Sequence, residues 1–338
     1  MPIYFRPVPM TDPARPPGAL PLAGGGCWFD RVEVLDRDGT RGLIGVADIP
    51  EDIRSRLSAP RAAFAGLGLD CPRIMGVVNV TPDSFSDGGR FAGAQAAVAQ
   101  GRALAAGGAD ILDIGGESTR PGAVEVPPAE EVARVVPVIA ALAAQCGRTP
   151  LSVDTRKAAV AAAALDAGAG IVNDVSALTF DPPLGALAAA RRVPLVLMHA
   201  QGRPETMQAD PRYGNVLLDV YDWLAGRIAA AEAAGIPRSR IAIDPGIGFG
   251  KTLEHNLALL KGLSLFHGLG CPILLGASRK RFIGTLANEP EADRRGPGTL
   301  AVMLAAVAQG VQIHRVHDAA GARQALTLWQ AVTGKGQE

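Results

Sequence analysis

From residue 74 onward the chain alternates two textures: short runs of Val, Ile and Leu, each followed by a longer, Ala-rich stretch that tends to close on glycine. The short runs lie at residues 74–80, 110–114, 151–154, 171–174, 194–199, 241–244, 272–276 and 313–316. Continuous apolar runs of this length suit strands buried on both faces, as in a parallel sheet, and the stretches between them read as crossover helices. Helical segments are legible at 94–106, 129–145, 157–167 and 216–234, with Gly107, Gly147, Gly168 and Gly235 placed to end them. Eight such units predict an α/β fold, a closed (β/α)8 TIM barrel. An open doubly wound sheet would also alternate strands and helices, but its first strand would lead into a glycine fingerprint. Here that strand leads into Asn79-Val80-Thr81-Pro82-Asp83.

The first 73 residues lack this alternation. Residues 2–26 are rich in Pro and Gly and read as an extended lead-in outside the core. Apolar segments at 27–35 and 42–49 flank the turn-like Asp36-Arg37-Asp38-Gly39 and predict a β-hairpin, and 51–67 suits a short helix. The expected organisation is an N-terminal extension, 1–73, outside the chemistry, and a catalytic barrel, 74–338. The hairpin is available to plug the barrel bottom.

Polar residues sharpen the barrel reading. Asn79, Asp154, Asn173, His199, Asp244 and Arg315 all fall at the C-terminal ends of predicted strands, where barrel enzymes assemble their sites. Each has a plain alternative: a lone strand-end Asp commonly caps the next helix, and a lone His is commonly a satisfied structural residue. In Arg315-Val316-His317-Asp318, however, Arg315 and His317 share one face of the strand, and that face suits a diphosphate. Two polar, Gly-rich loops follow the first two strands, Asn79 to Gly89 and Gly115-Gly116-Glu117-Ser118-Thr119-Arg120-Pro121-Gly122. The run Gly246-Ile247-Gly248-Phe249-Gly250-Lys251 lacks the spacing and ending of a phosphate-binding P-loop.

Charge and composition narrow the partners. Lys plus Arg and Asp plus Glu each total 33, so the net charge is zero and no basic field favours nucleic acid. An anionic ligand must be held by local charges. The four cysteines match no metal-ligand spacing and read as reduced and structural. The most apolar stretch, 135–144, is too short to cross a membrane and is broken by Pro137, and the N-terminus has no apolar signal core, so a cytoplasmic protein is expected.

The two loops, with residues 244–251, 278–280 and 315–318, resemble the dihydropteroate synthase family over the chain from about residue 74 to the C-terminal helix. The resemblance implies a transferase of folate biosynthesis that condenses 6-hydroxymethyl-7,8-dihydropterin diphosphate with p-aminobenzoate. It implies a homodimer, Mg2+ as cofactor and sulfonamides as inhibitors. Carried over residue by residue, Asp154, Asn173, Met198, Asp244 and Lys280 bind the pterin, and Arg315 and His317 the diphosphate. Thr119, Arg120, Pro121 and Phe249 shape the aminobenzoate pocket, and Asn79 is the Mg2+ ligand. Asp154, Lys280, Arg315 and His317 form the implied catalytic set. The chain departs from the family pattern at Ile247, usually aromatic, at Ala200, commonly methionine, and at Arg281, often serine. Arg281 has two open readings, a charged substitute at a helix start or a solvent-facing residue. The rival readings are a pterin-dependent methyltransferase barrel, which has no need of the Arg315/His317 face, and a non-catalytic pterin-binding homologue, against which the intact loops and charges speak.

Overall fold

The computed structural model describes residues 2–80, 89–118, 122–202 and 206–333. Eight parallel strands form its centre: β6 (Arg73–Asn79), β7 (Ile111–Gly115), β8 (Leu151–Asp154), β9 (Ile171–Asp174), β10 (Leu195–Met198), β11 (Ile241–Asp244), β12 (Leu274–Leu275) and β13 (Ile313–Val316). Their order is β11-β10-β9-β8-β7-β6-β13-β12, and a bridge between Ile243 and Ile273 joins the two ends into a ring. Helices α2 (Gly89–Ala106), α3 (Pro128–Gln145), α4 (Ala158–Asp166), α5 (Pro183–Arg191), α6 (Val216–Ala233), α7 (Leu253–Lys261), α8 (Arg281–Ala287), α9 (Gly296–Val307) and α10 (Ala319–Val332) lie between and after the strands. This is the expected (β/α)8 barrel.

The seventh strand is shorter than its apolar run. Pro272 has no N–H to give a ladder, and the Ile273 N–H goes to the Gln312 side chain at 2.9 Å, so only Leu274 and Leu275 pair regularly. Gly147, Gly168 and Gly235 take the expected positive φ after their helices, but at the end of α2 it is Gly108, one residue beyond the expected Gly107.

Strand alternation sorts the side chains into two sets. Ile74, Leu112, Val172, Leu195, Leu197, Ile243 and Ile273 pack outward into the core shared with the helices. Met75, Ile111, Ile171, Val196, Ala242, Leu274 and Ile313 point inward and fill the bottom of the barrel. Two residues further along each strand, the inward positions include Asp113, Asn173, Met198, Asp244 and Arg315. The apolar floor and the polar mouth are therefore successive layers of one interior.

The floor is closed by Phe64 and Leu69, which join the inward cluster. Phe64 and Leu67 exchange backbone hydrogen bonds of 2.9 and 3.0 Å across a turn in which Ala65 and Gly66 both have positive φ. The plug is thus this small turn, and not the longer hairpin expected from the sequence. The helix expected within 51–67 is α1 (Glu51–Ser58), which stops just ahead of Pro60.

The extension also differs from expectation at its start. β1 (Tyr4–Pro7) pairs antiparallel with β4 (Arg31–Asp36), which forms the hairpin with β5 (Gly39–Gly45), while β2 (Leu20–Pro21) pairs with β3 (Trp28–Phe29). Residues 2–26 are accordingly no loose lead-in. Tyr4 is buried against Leu218 and Leu265 of the barrel, and Leu22, Cys27, Phe29, Val32, Ile49 and Leu57 make a small core of their own. All four cysteines are free, and no helix among the described residues is long and apolar enough to cross a membrane.

Because Phe64 fills the end opposite the polar mouth, Phe64→Ala should cost roughly 3–5 kcal/mol of stability while leaving turnover per folded molecule unchanged. Denaturant unfolding paired with activity normalised to folded protein checks this. A turnover loss without a stability loss would place Phe64 in the chemistry.

Candidate active site

Strand ends bring the polar set together. Arg315 on β13 donates from Nε to Asp113 Oδ2 at 2.6 Å and from Nη2 to Asp154 Oδ2 at 2.7 Å. Asn173 on β9 donates from Nδ2 to the same Asp113 oxygen at 2.9 Å. Asp113, fully buried, was not singled out by the sequence reading. The available signal was a carboxylate in the middle of the apolar run Ile111-Leu112-Asp113-Ile114, where alternation sends it inward. Burial is the main force raising Asp154, to about 7; Arg315 opposes it, and Asp113, Glu131 and Asp174 add to it. Arg315 loses by burial but gains more from Asp113, Asp154 and Asp244, so its guanidinium stays charged.

Across the mouth, Asp244 on β11 accepts from Gly246 N at 2.7 Å. Burial raises its pKa, against the pull of Lys280, Arg315 and Lys251. Lys280 donates to the Ile247 carbonyl and lies 4.3 Å from the centroid of the half-buried Phe249 ring. Burial lowers it to about 8, with Asp244 opposing and Arg315 reinforcing the shift. Gly276 lies between the two halves, where a Cβ would be in ordinary contact with both, 3.5 Å from Asp244 Oδ2 and 4.0 Å from Arg315 Cδ.

The glycines of 246–250 serve geometry. Gly246 and Gly250 have φ of +69° and +61°, and a Cβ on them would come within 1.8 Å of His199 O and 2.3 Å of Gln201 O. The loop is thereby pressed against the end of β10. Lys251, buried beneath it, donates to Phe249 O at 3.0 Å and meets His199 Nδ1 at 2.9 Å. Burial, then Lys251, holds His199 far below the usual histidine range, at about 2, and its ring edge packs on Trp223. His199 is therefore a neutral supporting residue. Ile247, expected to alter a pocket wall, is wholly buried in the outer core, and only its carbonyl turns to Lys280. Met198 is buried at the mouth end of β10.

His317 lies just past β13, with Nδ1 3.0 Å from the Ser278 hydroxyl, which links it to the Ser278-Arg279-Lys280 segment. Arg281 opens α8 and is exposed. Asn79 ends β6, half-exposed at the mouth. Thr119, Arg120 and Pro121 lie outside the described residues, as do residues 81–88 of the first loop. The base of the second loop is nevertheless anchored. Lys157 donates to Glu117 and, at 2.7 Å each, to Glu131 and the Val126 carbonyl, while Arg156 pairs with Glu117 at 2.9 Å. Sequence reasoning missed Lys157 and Glu131 because their partners are distant in the chain.

A closed parallel barrel with a buried acid, amide and base mouth defines a class, and comparison with known proteins agrees. The pterin binding enzyme family model matches residues 75–317, and the chain belongs to that family. It is 48% identical over 269 residues to the dihydropteroate synthase of Neisseria meningitidis serogroup C, covering 79% of this chain and 94% of that one. The corresponding enzyme of Escherichia coli K12 is 44% identical over 270 residues, covering 80% and 95%. Among solved structures, Xanthomonas albilineans dihydropteroate synthase with 4-aminobenzoic acid superposes with a TM-score of 0.76 at 52% identity, covering 81% of this chain and 98% of that chain. Within the family, the chain groups with the dihydropteroate synthases.

The Asp154 shift has a thermodynamic consequence. With a pKa of about 7 in place of 3.8, the folded protein keeps a proton that the unfolded chain loses. This contribution to stability is therefore fully present below about pH 4 and is lost as pH rises through about 7. Asp154→Asn should flatten that dependence. Urea midpoints at pH 5 and pH 7.5 for both proteins test it, and parallel profiles would show that Asp154 titrates normally.

Proposed function

We propose that the chain condenses 6-hydroxymethyl-7,8-dihydropterin diphosphate with p-aminobenzoate at the barrel mouth, releasing diphosphate. The observation that carries this reading is the division of the mouth into two chemistries around Gly276. One side offers Asp244 and Lys280; the other offers Arg315 and Asn173, held on the same Asp113 oxygen, with His317 beyond them. A pterin's aminopyrimidinone edge presents adjacent N–H donors that a carboxylate accepts in pairs, plus a carbonyl and ring nitrogens that take donors such as Lys280. A diphosphate needs a cation that remains charged when buried, which Arg315 supplies.

In this reading the C–O bond between the pterin methylene and the diphosphate breaks, the diphosphate leaves with the electron pair, and the methylene becomes a ring-stabilised cation. The aromatic amine forms the new C–N bond and gives up a proton. Arg315 and His317 meet the charge that develops on the leaving oxygens, and Phe249, beside Lys280, flanks the incoming ring. No covalent nucleophile is required. The structures of relatives support the substrate assignment: one from X. albilineans is in complex with 7,8-dihydropteroate, and one from Thermus thermophilus with 4-aminobenzoate.

A Mg2+ ion fits the donor chemistry of this mouth. Asn79 offers a hard amide oxygen at a half-exposed strand end. Among the described residues no cluster of three or more His, Cys, Asp or Glu side chains forms a separate metal cage, so phosphate oxygens and water would complete the coordination. When bound, the ion neutralises diphosphate charge.

The deciding experiment is a direct assay of dihydropteroate formation with and without Mg2+. Product formation that depends on the metal is expected, and binding of pterin without turnover would point to a non-catalytic homologue. Arg315→Met should weaken pterin diphosphate far more than the dephosphorylated hydroxymethylpterin. Equal losses on calorimetry would remove Arg315 from the leaving-group site. Asp244→Asn, which sets an amide donor against the pterin's N–H groups, should cost roughly 2–5 kcal/mol of pterin binding in a folded protein. Unchanged affinity would take Asp244 out of the pocket.

A further inference from the structure

Asp113 occupies a singular place in the ring. In the order β13-β6-β7-β8-β9, its strand lies midway between the strands of Arg315 and Asn173, two neighbours away on either side. The residues paired directly with it are Val77 on β6 and Ser152 on β8, both short, which lets the carboxylate reach past them. Its Oδ2 accepts from both Arg315 Nε and Asn173 Nδ2, at 2.6 and 2.9 Å. Its Oδ1 is buried with no hydrogen-bond partner among the described residues.

An arrangement with an orphaned carboxylate oxygen is a poor way to stabilise a barrel. An apolar residue of similar volume commonly packs at least as well as a buried ion pair, and an unsatisfied buried acceptor carries a desolvation penalty. The two side chains that Asp113 holds serve different parts of the substrate in this reading, Arg315 the diphosphate and Asn173 the pterin. By taking the Nε edge of Arg315, with Asp154 on Nη2, it leaves Nη1 without a protein partner among the described residues. By accepting from Asn173 Nδ2, it fixes which way that amide faces, turning its oxygen away from the carboxylate.

We propose that Asp113 is a positioning residue that sets Arg315 for the diphosphate and Asn173 for the pterin ring at the same time. The proposal rests on the function argued above. It gives Asp113 a signature that neither partner shares. Asp113→Leu, which keeps a similar shape but offers no acceptor to either donor, should weaken both inorganic pyrophosphate and 6-hydroxymethylpterin by about tenfold or more. Arg315→Met should weaken pyrophosphate alone, and Asn173→Ala the pterin alone.

A second readout is the pH profile. Asp154 is faced by Arg315 from β13, Asp113 from β7, Glu131 from α3 and Asp174 from β9. Removing the Asp113 charge should move the Asp154 midpoint to lower pH, a change that loss of packing alone would not produce.

The measurement is calorimetric titration of each ligand, pyrophosphate with Mg2+ present, into wild type and the three variants. Wild-type binding of both ligands with undiminished affinities in Asp113→Leu would overturn the proposal and leave the function standing. Wild type that binds neither ligand would overturn the function itself, and the proposal with it. If Asp113→Leu does not fold, the double variant Asp113→Leu/Arg315→Met removes both charges of the pair. There the pterin should still bind about tenfold more weakly than to Arg315→Met, because Asn173 has lost its acceptor, and equal pterin affinity would refute the role.

Discussion

The structure turns on one constraint, the burial of charge inside a closed ring of strands. Alternation sends every second strand residue into an interior whose lower end is sealed by Phe64 and Leu69, so ionisable groups above that floor lose much of their water. They remain tolerable only by facing one another. Arg315 between Asp113 and Asp154, and Lys280 beside Asp244, are the result, with Asp244 pushed up and Lys280 pushed down by burial. Such clusters contribute little net stability, but they hold dipoles and charges in place before a ligand arrives.

The loops above this layer are shaped by contacts that do not touch the mouth. Gly246 and Gly250 let the segment after β11 lie against β10, and Lys251 bonds it from below. Glu117, Glu131, Arg156 and Lys157 form a second anchor under the loop after β7. Both anchors combine residues from different β-α units, which ties the geometry of the mouth to closure of the whole ring.

The extension reaches the same side of the barrel through α6. Arg37, in the hairpin turn, pairs with Asp219 and Asp222, and Tyr4 donates to Asp222 at 2.8 Å. Asp219 also accepts from Gly214 N at 2.8 Å and Asn215 N at 3.1 Å, fixing the entry to α6. Tyr213, next in that segment, donates to Gly250 O at 2.8 Å. The exposed ion pairs carry little energy individually, so the extension is held mainly by apolar contacts such as Tyr4 against Leu218 and Leu265.

The sequence by itself determined the eight strands and four of the helices between them in outline, because long buried β-α units leave a periodic signal that needs no partner to be read. It also marked Asp154, Asn173, Asp244 and Arg315, since strand ends in a barrel point to one mouth, while Lys280 was marked by the resemblance of its segment. Tertiary structure decided what depends on residues far apart in the chain. Tyr4–Pro7 becomes a strand only by pairing with residues 31–36, and Pro-rich sequence hides that. The plug is a four-residue turn whose role exists only once the ring closes beneath it. Asp113 acquires partners because the strand order sets β9 and β13 two neighbours from β7 on either side, and a hydrogen bond between residues 202 positions apart leaves no trace in local periodicity.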